Sequence, residues 1–104
     1  MLLLTKELIE RFEKVGSQTE IEDPIAICKF FNPVGHGYWF ATEYYPKERV
    51  FYGYVSLFGD WNDEWGTFAL DELESIRGLG GLGIERDRFF KETPMSEIIK
   101  KYTK

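Results

Sequence analysis

The chain has 104 residues, 43% of them hydrophobic and 30% charged, which fits one globular domain over residues 1–104 and leaves no room for two. Its 9 Phe, 6 Tyr and 3 Trp exclude a disordered chain. Its single Cys and single His exclude a disulfide framework, a multi-cysteine metal site and most histidine-based metal chemistry. A formal net charge of −5 without a basic stripe removes the electrostatic footprint of phosphate-backbone binding.

The opening Met1-Leu2-Leu3-Leu4 has no basic flank and no small-residue cleavage site, so it does not read as a signal peptide. No apolar run nears the ~20 residues of a membrane span. Thr5 is placed to cap a helix with Leu4, Leu8, Ile9 and Phe12 on its inner face. Glu7 with Arg11 and Glu10 with Lys14 form i,i+4 pairs along it, and Gly16 offers its stop. Ser17–Asp23 is a polar loop.

After Asp23-Pro24, Ile25–Phe31 reads as one strand. Asn32–Gly37 is a turn-rich loop, Tyr38–Tyr45 a second strand and Pro46–Arg49 a polar turn. Val50–Phe58 reads as a third strand, with Gly53 marking a bulge or a close backbone approach. Gly59–Gly66 is a loop and Thr67–Leu70 a short fourth strand. Strands joined by short polar turns imply an antiparallel meander. Asp71–Ile76 is a short helix with acids in its first turn, followed by the glycine-rich Gly78–Gly83. Ile84–Phe90 is a candidate edge strand. Thr93 and Pro94 are placed as the cap and first residue of a final helix with Ile98, Ile99 and Tyr102 inside. The expected fold is α+β: an antiparallel β-meander of three to five strands with an N-terminal and a C-terminal helix packed on it.

In that order the motifs resemble a domain-of-unknown-function family of roughly 100-residue proteins, encoded mainly on bacterial plasmids, integrative elements and phages. The matching stretches include Leu3-Leu4-Thr5, Asp23-Pro24, Lys29-Phe30-Phe31, Trp39 with Thr42-Glu43, and Phe51 with Gly53-Tyr54-Val55. They continue with Glu72–Gly78, and with Gly81-Leu82 before Ile84-Glu85-Arg86-Asp87. The resemblance implies a bacterial or mobile-element origin and a cytoplasmic location, and it implies no activity. Trp61 and Trp65 in the Gly59–Gly66 loop depart from the family pattern.

Gly78-x-Gly80-x-x-Gly83 has dinucleotide-fingerprint spacing in the wrong context, since a helix precedes it, so it reads as a turned connector. Glu72, Glu74, Arg77, Glu85, Arg86 and Asp87 read as an ion-pair network bracing that connector. Glu72, Arg77, Glu85, Arg86 and Asp87 are also the place to look for a small enzyme's polar site. His36 reads as a turn residue, and Cys28 as a small buried hydrophobe. Asp60, Asp63 and Glu64 lack calcium-loop spacing. No metal or cofactor is expected.

Residues 30–68 hold all three Trp and five of the six Tyr. Both alternating faces of the second and third strands carry aromatic residues, whereas a half-buried strand alternates apolar with polar. Either both faces are covered, by helices on one and by loops or a homodimer on the other, or one aromatic face binds a partner. Trp39, Tyr52, Tyr54, Trp61 and Trp65 lead as partner-binding residues, because Tyr and Trp suit sites where one end is wet. The preferred function is a non-enzymatic protein-interaction module of a mobile genetic element, one form of which is antagonism of a host defence complex. The alternatives are the small enzyme and a single-stranded nucleic-acid binder; the latter lacks a basic groove, since Lys47 and Arg49 are the only cations in the aromatic region.

Overall fold

A computed structural model describes residues 2–57, 63–77 and 79–102. The Thr5 hydroxyl accepts the Leu8 N–H at 3.2 Å and starts α1 (Lys6–Val15). Gly16, at φ 73°, ends the helix with its N–H on the Phe12 carbonyl. Arg11 does not settle on Glu7. It reaches across the molecule to Glu92 through two N–H···O bonds of 2.7 and 2.8 Å.

The single strand expected over Ile25–Phe31 is two, β1 (Ile25–Ala26) and β2 (Cys28–Phe31). β2, β3 (Tyr38–Tyr45), β4 (Val50–Ser56) and β5 (Glu64–Ala69) form the meander, every neighbouring pair antiparallel. β5 begins earlier than the sequence pattern indicates, so Trp65 and Gly66 are strand residues. The helix α2 (Leu70–Ser75) follows directly. The candidate edge strand is present as β6 (Glu85–Arg86), paired to the outer side of β2. The sheet order is therefore β5-β4-β3-β2-β6.

β1 leaves this sheet and pairs with β7 (Thr93–Pro94). That pairing overturns the reading of Thr93 and Pro94 as cap and first helical residue. The last helix, α3, runs over Met95–Tyr102. Its first turn is capped from a distance: the Asp23 carboxylate accepts the Ser96 N–H at 2.9 Å and the Ser96 hydroxyl at 2.6 Å. These bonds, the hydroxyl's first, hold the Asp23 carboxyl below the usual carboxylate range.

The register sets two cores. On one face Cys28, Phe30, Trp39, Ala41, Phe51 and Phe68 meet Leu3 and Phe12 from the α1 side and Leu70 and Leu73 from α2. On the other face Phe40 and Tyr54 meet Ala26 and, from α3, Met95 and Ile98, with Tyr38 and Tyr102 packed alongside. A sheet covered on both sides needs apolar residues at successive positions, which is why both faces of β3 and β4 are aromatic. Between the Ala41–Gly53 and Glu43–Tyr52 pairs, Thr42 is one residue too many for the ladder. Its hydroxyl bonds the Tyr52 carbonyl at 3.1 Å. This bulge brings β4 close: a Cβ on Gly53 would lie 1.8 Å from the Phe40 carbonyl oxygen. Gly53 is thus the close backbone approach expected of it. Among the described residues no helix is long and apolar enough to cross a membrane.

Candidate functional site

α3 covers the Tyr38–Phe40–Tyr54 part of its face and stops short of the other end of β3, β4 and β5. There the segment after α1 folds over the sheet and leaves a groove of about 610 Å³. Gln18, Thr19, Ile21, Glu22 and Pro24 form one wall. Tyr45, Tyr52 and Trp65 form the other, with Thr42 and Glu43 at the base.

The groove is braced by one buried amide. The Gln18 side chain donates to the Ile25 carbonyl at 2.9 Å and the Thr42 carbonyl at 2.8 Å, and accepts the Ile25 N–H at 2.7 Å. Its backbone N–H donates to Glu43 at 3.0 Å. The bulge at Thr42 is what frees a β3 carbonyl for this use. Glu43 is only 4% exposed. Its carboxylate also accepts the Tyr45 hydroxyl, and the Thr19 hydroxyl at 3.4 Å. With these donors in place it works as a brace. The bond to Glu43, with some desolvation, pushes the Tyr45 phenol up to about 12, because ionising it would remove the donor and set two anions side by side.

Trp65 lies between two tyrosines of β4. It stacks on Tyr52 at 5.9 Å and 19° and meets Tyr54 edge-on at 5.7 Å and 73°. The indole remains 37% exposed and Tyr45 39%. Of the four described aromatic residues among the five expected to bind a partner, Tyr52 and Trp65 line this groove. Trp39 and Tyr54 are 8% and 5% exposed and belong to the two cores, which corrects their reading as surface residues. Trp61, with the first half of the Gly59–Gly66 loop, lies outside the described residues. Tyr45, Glu43 and Gln18 were missed. The available signal was a glutamate inside the otherwise apolar Tyr38–Tyr45 run.

The expected ion-pair network takes a different form. The Arg77 guanidinium donates to the Glu74 and Ile76 backbone carbonyls at 2.6 and 2.8 Å rather than to a carboxylate. Arg86 reaches back to the Leu2 and Leu3 carbonyls and ties β6 to the start of the chain. Arg49, which lies outside the predicted set, takes Asp71 at 2.9 Å and Glu74 at 3.7 Å. Asp87 lies 3.7 Å from Lys29. Glu72 accepts the Ala69 N–H at 3.5 Å. Glu72 lines one groove, Arg77 and Glu85 a second, and Arg86 and Asp87 a third, so none of these three grooves holds all five residues.

Lys29 is another feature hidden from the sequence. Its ammonium lies 4.9 Å from the Tyr38 ring centroid and 5.3 Å from that of Tyr102, and donates to the Tyr102 hydroxyl at 3.0 Å. Cys28 is buried as expected, and burial pushes its thiol far above the ordinary range against a weaker pull from Arg86. Among the described residues no three His, Cys, Asp or Glu side chains gather to hold a metal ion. Neither a curated protein nor a solved structure matches the chain. A family model described as "Protein of unknown function (DUF2958)" matches residues 3–104, in keeping with the resemblance of the motifs, and the chain belongs to that family.

Proposed function

We propose that the protein is a non-enzymatic module that works by binding another protein through the Tyr45–Tyr52–Trp65 side of the groove. One observation carries this reading: three aromatic side chains from adjacent strands present partly exposed rings at one place, held rigidly by stacking and by the Gln18–Glu43 brace. Rigid aromatic anchors lose little entropy on binding and dominate the energetics of protein interfaces. Glu22 and Glu43 make the groove acidic, which favours a basic surface and disfavours the phosphates of a nucleic acid. The dispersal of Glu72, Arg77, Glu85, Arg86 and Asp87 over three grooves weighs against a polar active site built from them. The resemblance to proteins of plasmids, integrative elements and phages supports an element-encoded cytoplasmic role, with antagonism of a host defence complex as one form.

Affinity capture from a bacterial lysate, with wild-type, Tyr52→Ala and Trp65→Ala proteins side by side, tests the reading. A partner retained by wild type should be lost with Trp65→Ala, which is expected to cost ~2 kcal/mol or more as a hot spot. The melting temperature should stay within a few degrees. A partner held equally by all three proteins would refute the assignment of the groove.

A further inference from the structure

We infer that the outer edge of β5 takes up an extended, basic segment of a partner protein as a sixth strand of the sheet, an inference that rests on the binding-module reading. The phase of the β4–β5 ladder comes from one bond beyond its end: the Leu70 N–H donates to the Arg49 carbonyl at 2.9 Å. In an antiparallel pair, residues point their N–H and C=O alternately toward and away from the partner strand. Counting back from Leu70 along the register, Phe68, Gly66 and Glu64 face β4, and Ala69, Thr67 and Trp65 face outward. The Ala69 N–H confirms this phase, because it meets the Glu72 carboxylate on the outer side. Among the described residues, nothing bonds the outward N–H and C=O of Trp65 and Thr67.

Proteins blunt exposed edges with Lys, Pro, bulges or covering elements. β5 reads Glu-Trp-Gly-Thr-Phe-Ala, with no Lys, no Pro and no register shift against β4. It presents the row of unmet backbone groups that strand addition uses. The side chains on either side select the occupant. On the α2 side, space is open above Gly66, between Phe68 and Glu64, with Glu72 beside it. On the other side the Trp65 indole offers its exposed face to a cation. A strand with Lys or Arg at alternate positions and apolar residues between them fits both sides. A second copy of this chain fits poorly, since its own β5, Glu-Trp-Gly-Thr-Phe-Ala, offers no cation to the Trp65 indole.

The test uses the full chain and amide hydrogen exchange read residue by residue. In the free protein the Trp65 and Thr67 amides should exchange at least tenfold faster than those of Gly66 and Phe68. The probe is a capped ten-residue peptide of alternating Lys and Val, with an alternating Glu and Val peptide as control. Saturation with the Lys–Val peptide should slow Trp65 and Thr67 exchange tenfold or more, and the Glu–Val peptide should bind at least tenfold more weakly. Thr67→Pro deletes one outward N–H and no bond to β4, so it should lose the peptide and keep the wild-type melting temperature within a few degrees. If that variant fails to fold, the exchange measurements on wild type decide alone. No binding at millimolar peptide, or binding that leaves Trp65 and Thr67 exchange unchanged, would overturn the edge. So would a free protein that is dimeric with both amides already protected. A lysate partner lost by Trp65→Ala but kept by Thr67→Pro would overturn the edge alone and leave the groove standing.

Discussion

Gly53→Ala should be among the most damaging single-methyl changes this chain can undergo. The new Cβ would lie 1.8 Å from the Phe40 carbonyl oxygen, 2.8 Å from its carbon and 3.0 Å from the Ala41 Cα. An unstrained carbon–oxygen approach is about 3.3 Å, so β3 and β4 would have to separate by roughly 1.5 Å at that point. All the atoms in the way are backbone, in the middle of the sheet, beside a bulge whose freed carbonyl serves Gln18. Ordinary overpacking costs about 1–3 kcal/mol when side chains can turn aside. Here none can, and a loss of about 3 kcal/mol or more is expected. Urea unfolding followed by tryptophan fluorescence should show a midpoint lowered by about 1–3 M, given a slope of about 1–3 kcal/mol/M for a small protein. Gly66→Ala is the internal control. It stands opposite Gly53 in the same row of the sheet, and nothing lies within 4 Å of its Cβ position. It should be neutral or slightly stabilising, since it only restricts the unfolded chain. If Gly53→Ala fell within ~0.5 kcal/mol of wild type, the close approach and the bulge register derived from it would both be wrong.

Gln18→Ala should cost about 1–3 kcal/mol in chemical denaturation, because it strands the buried Thr42 carbonyl and the half-buried Ile25 N–H. The Tyr45 phenol is raised in the folded state, so its hydrogen bond contributes stability that is fully present below pH ~10 and is lost as pH rises through about 12. Unfolding curves at pH 8 and at pH 10–12 should therefore show wild type losing more stability than Tyr45→Phe over that window. Cys28 should be inert to Ellman's reagent at pH 8 in the native protein and react fully in denaturant, and rapid native labelling would contradict its burial.

The meander was legible because its signals are local. Asn32–Gly37 and Pro46–Arg49 carry turn residues between aromatic runs, and Gly53 interrupts a strand where no side chain fits. The misreadings share one cause, pairing between distant parts of the chain. Ile25–Phe31 looks continuous because Ile27 is apolar, yet its first two residues pair with Thr93 and Pro94. The same pairing withdraws Thr93 from a capping role its local sequence invites. At the site, Tyr and Trp content located the region but could not separate core from surface. Trp39 is drawn into the core beside Phe30 and Val55, whereas Trp65, on the edge strand, has a partner strand on one side only. The Gln18–Glu43 brace joins a loop to a bulge, and neither leaves a periodic trace.

The last third of the chain is stitched to the first repeatedly: β7 on β1, β6 on β2, Glu92 on Arg11, Ser96 on Asp23, Arg86 on Leu2 and Leu3, and Asp87 and Tyr102 on Lys29. During synthesis, the meander strands and all of the first core but Ile84 are made before α3, whereas on the opposite face Phe40 and Tyr54 lack Met95 and Ile98 until α3 emerges. A nascent chain halted before that point would display aromatic surface and an unpaired β2 edge together, a combination prone to aggregation and to capture by chaperones. Docking of α3 is thus what closes that face, and lesions there should reduce cellular abundance more than their effect on equilibrium stability alone would account for.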